Sequence, residues 1–372
     1  MKQYVEKKQW WPWLVLILLI LTSMVVLRHN ASWYRTPLGQ VTQVKVLQTN
    51  RLTDQYNNDV KQTTQSLRVK LLNTNQAGKT ITVKNTSDAA MAIEQPFKVG
   101  NQIFLNRAEH QTWTVQTMKR DTVWVPIMIA VLGILIISMG HAGRLTVISL
   151  AVNVVLFIGT VSLDLHTTNG NILGLFMLFS VLASAITLGL VMGFRQRQTW
   201  VVFATVLTAT ALAMIIASIV FKMTNNHGLH FELMSFITQL PQPLFMAMTL
   251  VGVLGAVMDE ATDMIATLFS LERERPNITI REIIQSGRHV GQEIFGALSN
   301  TLFLIFIAEQ IPMAVLYLRN GNDWGFTYMM NMSLGLVQTL ISAIGIVLTV
   351  PAGIMWVLLV RRFTRIKTEV PR

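Results

Sequence analysis

Eight stretches of mostly apolar residues constrain this chain more than any other feature: 10–27, 124–140, 145–163, 172–194, 200–221, 244–265, 292–311 and 340–360. A bilayer core about 30 Å thick is crossed by about 20 apolar residues of helix. So much apolar sequence exceeds what the core of a soluble domain needs, and it predicts a polytopic helical bundle. Only 13% of residues are charged, against about 25% in soluble domains. An ordinary water-soluble enzyme and a disordered chain are both excluded. Cysteine is absent, which removes disulfides, thiolate metal sites and thiol nucleophiles.

The first stretch begins after Lys7 and Lys8 and carries Trp10, Trp11 and Trp13 at one end. Arg28, His29 and Asn30 follow it, with no small-x-small cleavage pattern beside them. A retained anchor is expected, because indole rings settle at the headgroup level.

The net charge of +11 would suggest nucleic acid in a soluble protein. In a membrane protein it reads first as topology. With the N-terminus in the cytoplasm, the inner segments hold Lys2, Lys7, Lys8, Arg144, Arg195, Arg197, Arg273, Arg275, Arg281, Arg288, Arg361, Arg362, Arg365, Lys367 and Arg372, while the short outer loops hold Lys222 and Arg319. Lys and Arg accumulate on the cytoplasmic side of short loops. Both termini are therefore expected inside, in a cell (plasma) membrane, and residues 28–123 outside. The lipid bilayer is the expected partner. Nucleic acid is not expected, and neither is a cofactor.

Residues 28–123 differ from the rest, being rich in Thr, Gln, Asn and Lys. Runs alternating with period two at Val41–Leu47, Ser66–Leu72, Thr80–Val83, Val99–Leu105 and Thr112–Met118 predict short strands. A small OB-like or SH3-like β-barrel, or a sandwich, is expected after the first helix. Lys61, Arg68, Lys70, Lys79 and Lys84 either meet an anionic polymer or form a solvated strand face, the commoner arrangement. The expected organisation is 1–27 as cytoplasmic N-terminus and anchor, 28–123 as extracytoplasmic β-domain, 124–360 as a seven-helix domain and 361–372 as a basic cytoplasmic tail.

Ionisable groups inside spans need a reason. Asp259 and Asp263 are four residues apart and share one helix face, with Glu260 turned about 100° away. Counted from Leu244, Asp259 lies roughly 22 Å along its helix, in the inner third of the bilayer. Arg288, His289, Gln292 and Glu293 open the following span, and Asn300 falls near its middle. Asn153 is a second mid-span amide. Gly252, Gly255 and Gly296 are expected to let helices approach closely. Two readings stand. Asp259, Asp263 and Glu293 bind a cation or relay protons, with Asn153 and Asn300 lining the route; or the carboxylates pair with Arg273, Arg288 or His289 and the amides bridge helices. His227, His230 and Glu232 match no strong zinc spacing, so no metal is expected. The segment 224–243, ending Pro241-Gln-Pro243, reads as an interfacial or re-entrant piece.

No Gly-x-Ser-x-Gly, His-Glu-x-x-His or P-loop pattern occurs, and no enzymatic activity is expected. A permease-like component for a small solute or ion fits best. The alternative is a non-transporting envelope scaffold or sensor whose β-domain binds a partner.

The blocks Gly252-Val-Leu-Gly-Ala-Val-Met-Asp259 and Ser286-Gly-Arg-His-Val-Gly-Gln-Glu-Ile-Phe-Gly-Ala-Leu-Ser-Asn-Thr-Leu302 resemble the YibE/F-like family of multi-pass bacterial membrane proteins, over 124–360. The preceding β-domain looks like that of the YibE-type members. The resemblance implies a paired or heteromeric complex with another YibE/F-like membrane protein, and it implies no activity. Members commonly carry Asp where Glu293 stands, and small apolar residues or Ser where Glu260 and Asp263 stand.

Overall fold

The structure, a computed structural model, describes residues 10–53, 59–88, 95–107, 112–167, 170–231, 234 and 241–369. The expected residues Lys2, Lys7, Lys8, Glu232 and Arg372, and most of 232–240, lie outside it. Eight helices among the described residues are long and apolar enough to cross a membrane, one for each expected stretch. The chain divides into two compact units, Met1–Arg144 and Leu145–Arg372.

In the first unit, α1 (Trp11–His29) starts with Pro12 in its first turn, where the missing N–H costs nothing. It lies beside α2 (Asp121–Met139). Gly133 permits the contact, since a Cβ there would strike Leu16. Between the two helices run β1 (Leu38–Thr53), β2 (Asp59–Leu71), β3 (Thr80–Asp88), β4 (Gln102–Arg107) and β5 (Trp113–Met118). Each expected alternating run overlaps one strand. Antiparallel pairing gives one sheet in the order β3-β2-β1-β4-β5. Alternation places Leu67, Val69 and Leu71 of β2 on the inner face with Val41, Val83, Phe97, Ile103 and Leu105, while Arg68 and Lys70 stand exposed between them.

The sheet differs from the expected barrel in one respect. Among the described residues no ladder joins β3 to β5, so both remain edges although they come close to each other. The β1–β2 hairpin is also longer than the alternation suggests. Its ladder continues to Thr53 opposite Asp59, whereas β4 pairs with β1 only over Leu38–Gln40. The distal arm carries Thr, Gln and Asn on both faces, so no apolar alternation marks it as strand.

The second unit holds most of α3 (His141–His166), then α4 (Ile172–Leu188), α5 (Arg197–Met223), α6 (Pro241–Glu274), α7 (Ile280–Arg319), a short turn α8 (Trp324–Thr327) and α9 (Ser333–Glu369). Its apolar core forms where α5, α6 and α9 meet. The first turns of α7 run without a break into the span. A capping box starts it: Thr279 Oγ1 accepts from Glu282 N at 3.2 Å, and Thr279 N donates to Glu282 Oε2 at 2.7 Å. The α6–α7 turn is held from α9, where Arg361 donates to Ile278 O at 2.6 Å and lies 3.6 Å from Glu272.

Of the expected close approaches one is met: a Cβ on Gly252 would stand 3.1 Å from Gln338 Nε2 of α9. Gly255 and Gly296 face open space. Instead Gly287 and Gly291 of α7 lie against Ile354 and Val350 of α9, and Gly345 of α9 lies against Val253 and Val257 of α6. A Cβ on Gly345 would stand 2.8 Å and 2.9 Å from those two valines. Gly345→Leu is therefore expected to force α9 off α6 and cost about 1–3 kcal/mol, the range for overpacking a close-packed interior. Thermal unfolding of the full chain in detergent micelles, with Gly345→Ala as the milder control, checks this.

Candidate functional site

The acidic cluster of α6 separates by face. Asp259 and Asp263 share a face, as their spacing requires, but that face is exposed, together with Gly252 and Gly255. Glu260 points the other way and is 0% exposed. It lies on the stripe Val253, Val257, Glu260 and Met264, whose other members are core side chains.

Helix register gives its level in the core. Gly345 of α9 meets Val253 and Val257, and Gly353 meets Met264. Both series ascend, so α6 and α9 run parallel here, and Glu260 falls near the level of Thr349. On α5, Ala213 stands by Gly345 and Thr205 by Gly353, which brings Ala209 to the same level. Thr349, Thr205 and Ala209 are fully buried. Both hydroxyls are already committed to their own helices, Thr349 Oγ1 to Gly345 O at 2.9 Å and Thr205 Oγ1 to Val201 O at 2.8 Å. Among the described residues, neither carboxyl oxygen of Glu260 has a hydrogen-bond partner.

An ionised carboxylate without a partner in such surroundings is penalised by several kcal/mol even after relaxation. Two species relieve that penalty, a proton or a bound cation. Glu260 is thus a carboxyl group set in an apolar core with no protein partner among the described residues.

The remaining expected residues are placed as follows. Glu293 is exposed on α7 and lies 3.5 Å from His289 one turn earlier, the two side chains being 70% and 76% exposed. Asn300 is exposed on the same helix. Leu268 of α6 packs at Gly287. Stepping antiparallel from there sets Asp263 opposite position 292 and Asp259 opposite 296, within roughly one helical turn of Glu293 in depth. Asn153 of α3 bridges to α4, donating to Thr187 Oγ1 at 2.8 Å, and Ser149 Oγ lies 3.1 Å from the same hydroxyl. Its amide therefore ties two helices, while its Oδ1 is buried without a partner among the described residues.

The strand cations Lys61, Arg68, Lys70, Lys79 and Lys84 are all exposed. Among the described residues no three His, Asp or Glu side chains group as metal ligands.

The two blocks of polar and glycine residues on α6 and α7 thus fall on two helices in register, within a region that matches a known membrane family. Neither curated proteins nor solved structures yield a match. Residues 32–119 match the YibE/F family N-terminal domain and residues 127–362 match the YibE/F-like protein family, so the chain belongs to the YibE/F family of multi-pass membrane proteins.

Proposed function

We propose that the chain is a permease-like transport component for a small solute or ion, with Glu260 as the group that exchanges a proton or a cation. The observation that carries this reading is the burial of Glu260 with neither oxygen partnered among the described residues. Proteins retain a polar group at such a cost where it serves function. Asp259, Asp263, Glu293 and Asn300, open on α6 and α7 at matched depths, supply an approach whose local negative charge gathers cations. A paired YibE/F-like chain covering that polar face fits the same reading, because hydrocarbon alone solvates it poorly. We take the chain to be non-enzymatic, since its sequence holds no Gly-x-Ser-x-Gly, His-Glu-x-x-His or P-loop pattern.

Proteoliposomes loaded with dyes selective for H⁺, Na⁺ or K⁺ test the assignment under an imposed gradient of each cation. Wild-type protein is expected to move at least one of these cations. Glu260→Gln is expected to lower the flux more than about tenfold, since losing a ligand interaction worth over 1.4 kcal/mol has that effect. Unchanged flux in Glu260→Gln overturns the role of Glu260. Absence of flux for every cation in wild-type vesicles overturns the transport reading.

A second reading is favoured by the hairpin arm. From Thr42 onward β1 pairs only with β2 among the described residues, leaving a row of main-chain donors and acceptors of the kind that captures an added strand. In that case the β-domain is a sensor or scaffold, and shortening the arm reproduces the null phenotype while Glu260→Gln does not.

We also place both termini in the cytoplasm, on the asymmetry of Lys and Arg. The absence of cysteine makes this easy to check. With Lys84→Cys and Asn277→Cys, both at exposed positions, an impermeant maleimide applied to intact cells is expected to label the first alone. The opposite pattern reverses the orientation.

A further inference from the structure

A cavity of about 670 Å³ lies within the first unit, where α1 ends, the sheet begins and α2 starts. Its construction follows from how the end of α1 is closed. The last carbonyls of a helix lack intrahelical donors, and here the sheet supplies two. Lys119 Nζ donates to Leu27 O, and Gln102 Nε2 donates to Arg28 O at 2.9 Å. These bonds hold the base of β4 and the end of β5 against the end of α1.

The cavity wall has two kinds of surface. Arg28 and Arg120 supply the cationic part, while Met24, Val25 and Trp124 supply the apolar part. Met24, Val25 and Trp124 are all exposed, on the two helices that are long and apolar enough to enter a membrane.

The charge at this place is not balanced. Asp121 is the acid of this corner, and it is already committed: it lies 2.8 Å from Lys119 and accepts from the Tyr34 hydroxyl at 2.6 Å. Arg28 and Arg120 have no acidic partner among the described residues and stand exposed.

We infer that this cavity binds an anionic phospholipid on the membrane face that carries the sheet, with the phosphate between Arg28 and Arg120 and an acyl chain along Met24, Val25 and Trp124. A guanidinium matches phosphate oxygens in bidentate geometry and is more weakly hydrated than an ammonium, so it suits a partly dry interface. An indole at the same depth is the usual anchor at headgroup level. Basic residues beside the membrane attract anionic lipid additively. A soluble phosphate satisfies only the cationic part and leaves the apolar part of the wall in water. A zwitterionic choline headgroup brings a cation toward two arginines. The size also suits a headgroup with the first part of its chain, since small-molecule sites of about 300–1,000 Å³ are typical.

Native mass spectrometry of the full chain, released from micelles doped with phosphatidylglycerol or phosphatidylcholine, tests the inference. Phosphatidylglycerol is expected to be retained over phosphatidylcholine. Arg28→Gln with Arg120→Gln is expected to weaken that retention about 30-fold, the product of two charge contacts of ordinary size. Arg68→Gln, on the exposed strand face, is expected to leave it unchanged. Equal retention of the two lipids, or full retention by the double variant, overturns the proposal. Displacement of the lipid by millimolar glycerol phosphate assigns the site to a soluble phosphate and also overturns it. A photoreactive phosphatidylglycerol on the unaltered chain decides the matter should the double variant fail to fold. Labelled peptides from 24–29 or 118–124 support the site, and labelling confined to other regions refutes it.

Discussion

Glu260→Met is expected to stabilise the helical unit by roughly 1–3 kcal/mol, the usual penalty for a buried polar group without partners, and to stop the proposed transport. The two effects have one cause. Glu260 is fully buried on the stripe that α6 turns toward the core, and its oxygens find no donor among the described residues. Methionine has similar length and adapts to irregular space, so the exchange removes the polar penalty without opening a cavity. Replacing buried ionic groups with apolar ones of similar volume is often stabilising for this reason. Glu260→Gln separates shape from charge. It keeps an unsatisfied polar end, so its stability should stay close to wild type while its flux falls. Thermal unfolding of the three proteins in one detergent, beside the vesicle assay, gives the order Met above wild type and Gln. A methionine variant less stable than wild type by more than about 1 kcal/mol shows instead a satisfied carboxyl that holds helices together, because breaking such a bond carries a cost of that size.

The position of Glu260 also shows how far the site could be read in the sequence. The spans were legible because the bilayer demands a length and a composition, and both are properties of the linear chain. The strands were legible because exposed Lys, Arg and Thr alternate with Val, Leu and Ile. The direction of an acid within an amphipathic span is harder. Asp259 and Asp263 look like a pair aimed at a bundle interior, and their spacing does place them on one face. Only packing tells which face is covered, and α6 covers the other one. A signal was nevertheless present: Val253, Val257 and Met264 are spaced 4 and 7 residues apart around Glu260, a 3.6-residue period that runs straight through it. The expected close approaches at Gly255 and Gly296 failed for a related reason. Small residues permit contact without selecting the partner, and α9 selects Gly287 and Gly291 by presenting Ile354 and Val350. Whether the sheet edges pair lay beyond pattern altogether, because it depends on how the sheet curls.

Lys119→Met is the second large effect, an expected loss of about 3 kcal/mol or more from the first unit, as when one partner of a buried ion pair is removed. The Lys119 side chain is only 1% exposed, and Asp121 beside it is 21% exposed. Its ammonium meets three groups from three parts of the chain: the Leu27 carbonyl that ends α1, the Asp121 carboxylate that starts α2 and, 5.6 Å away, the ring of Tyr34. Tyr34 in turn donates to Asp121 at 2.6 Å, and burial, followed by that carboxylate, holds its hydroxyl above the usual phenol range. One lysine therefore joins both helices to the sheet. Methionine fills the same tube of space but leaves the Leu27 carbonyl without its donor and Asp121 with only the Tyr34 phenol and the Thr122 amide. Lys119→Arg keeps the charge yet must fit a planar fork where three rotatable donors stood, so partial recovery is expected. The readout is protease sensitivity at 31–37, where Asn73 hydrogen-bonds the main chain of Ala31, Tyr34, Thr36 and Leu38. Cutting there should rise sharply in Lys119→Met while the helices of 145–369 remain resistant. Unchanged cutting and a melting profile within about 0.5 kcal/mol of wild type, the spread of ordinary surface substitutions, would mean that Asn73 and the β4–β5 ladder secure the joint without Lys119.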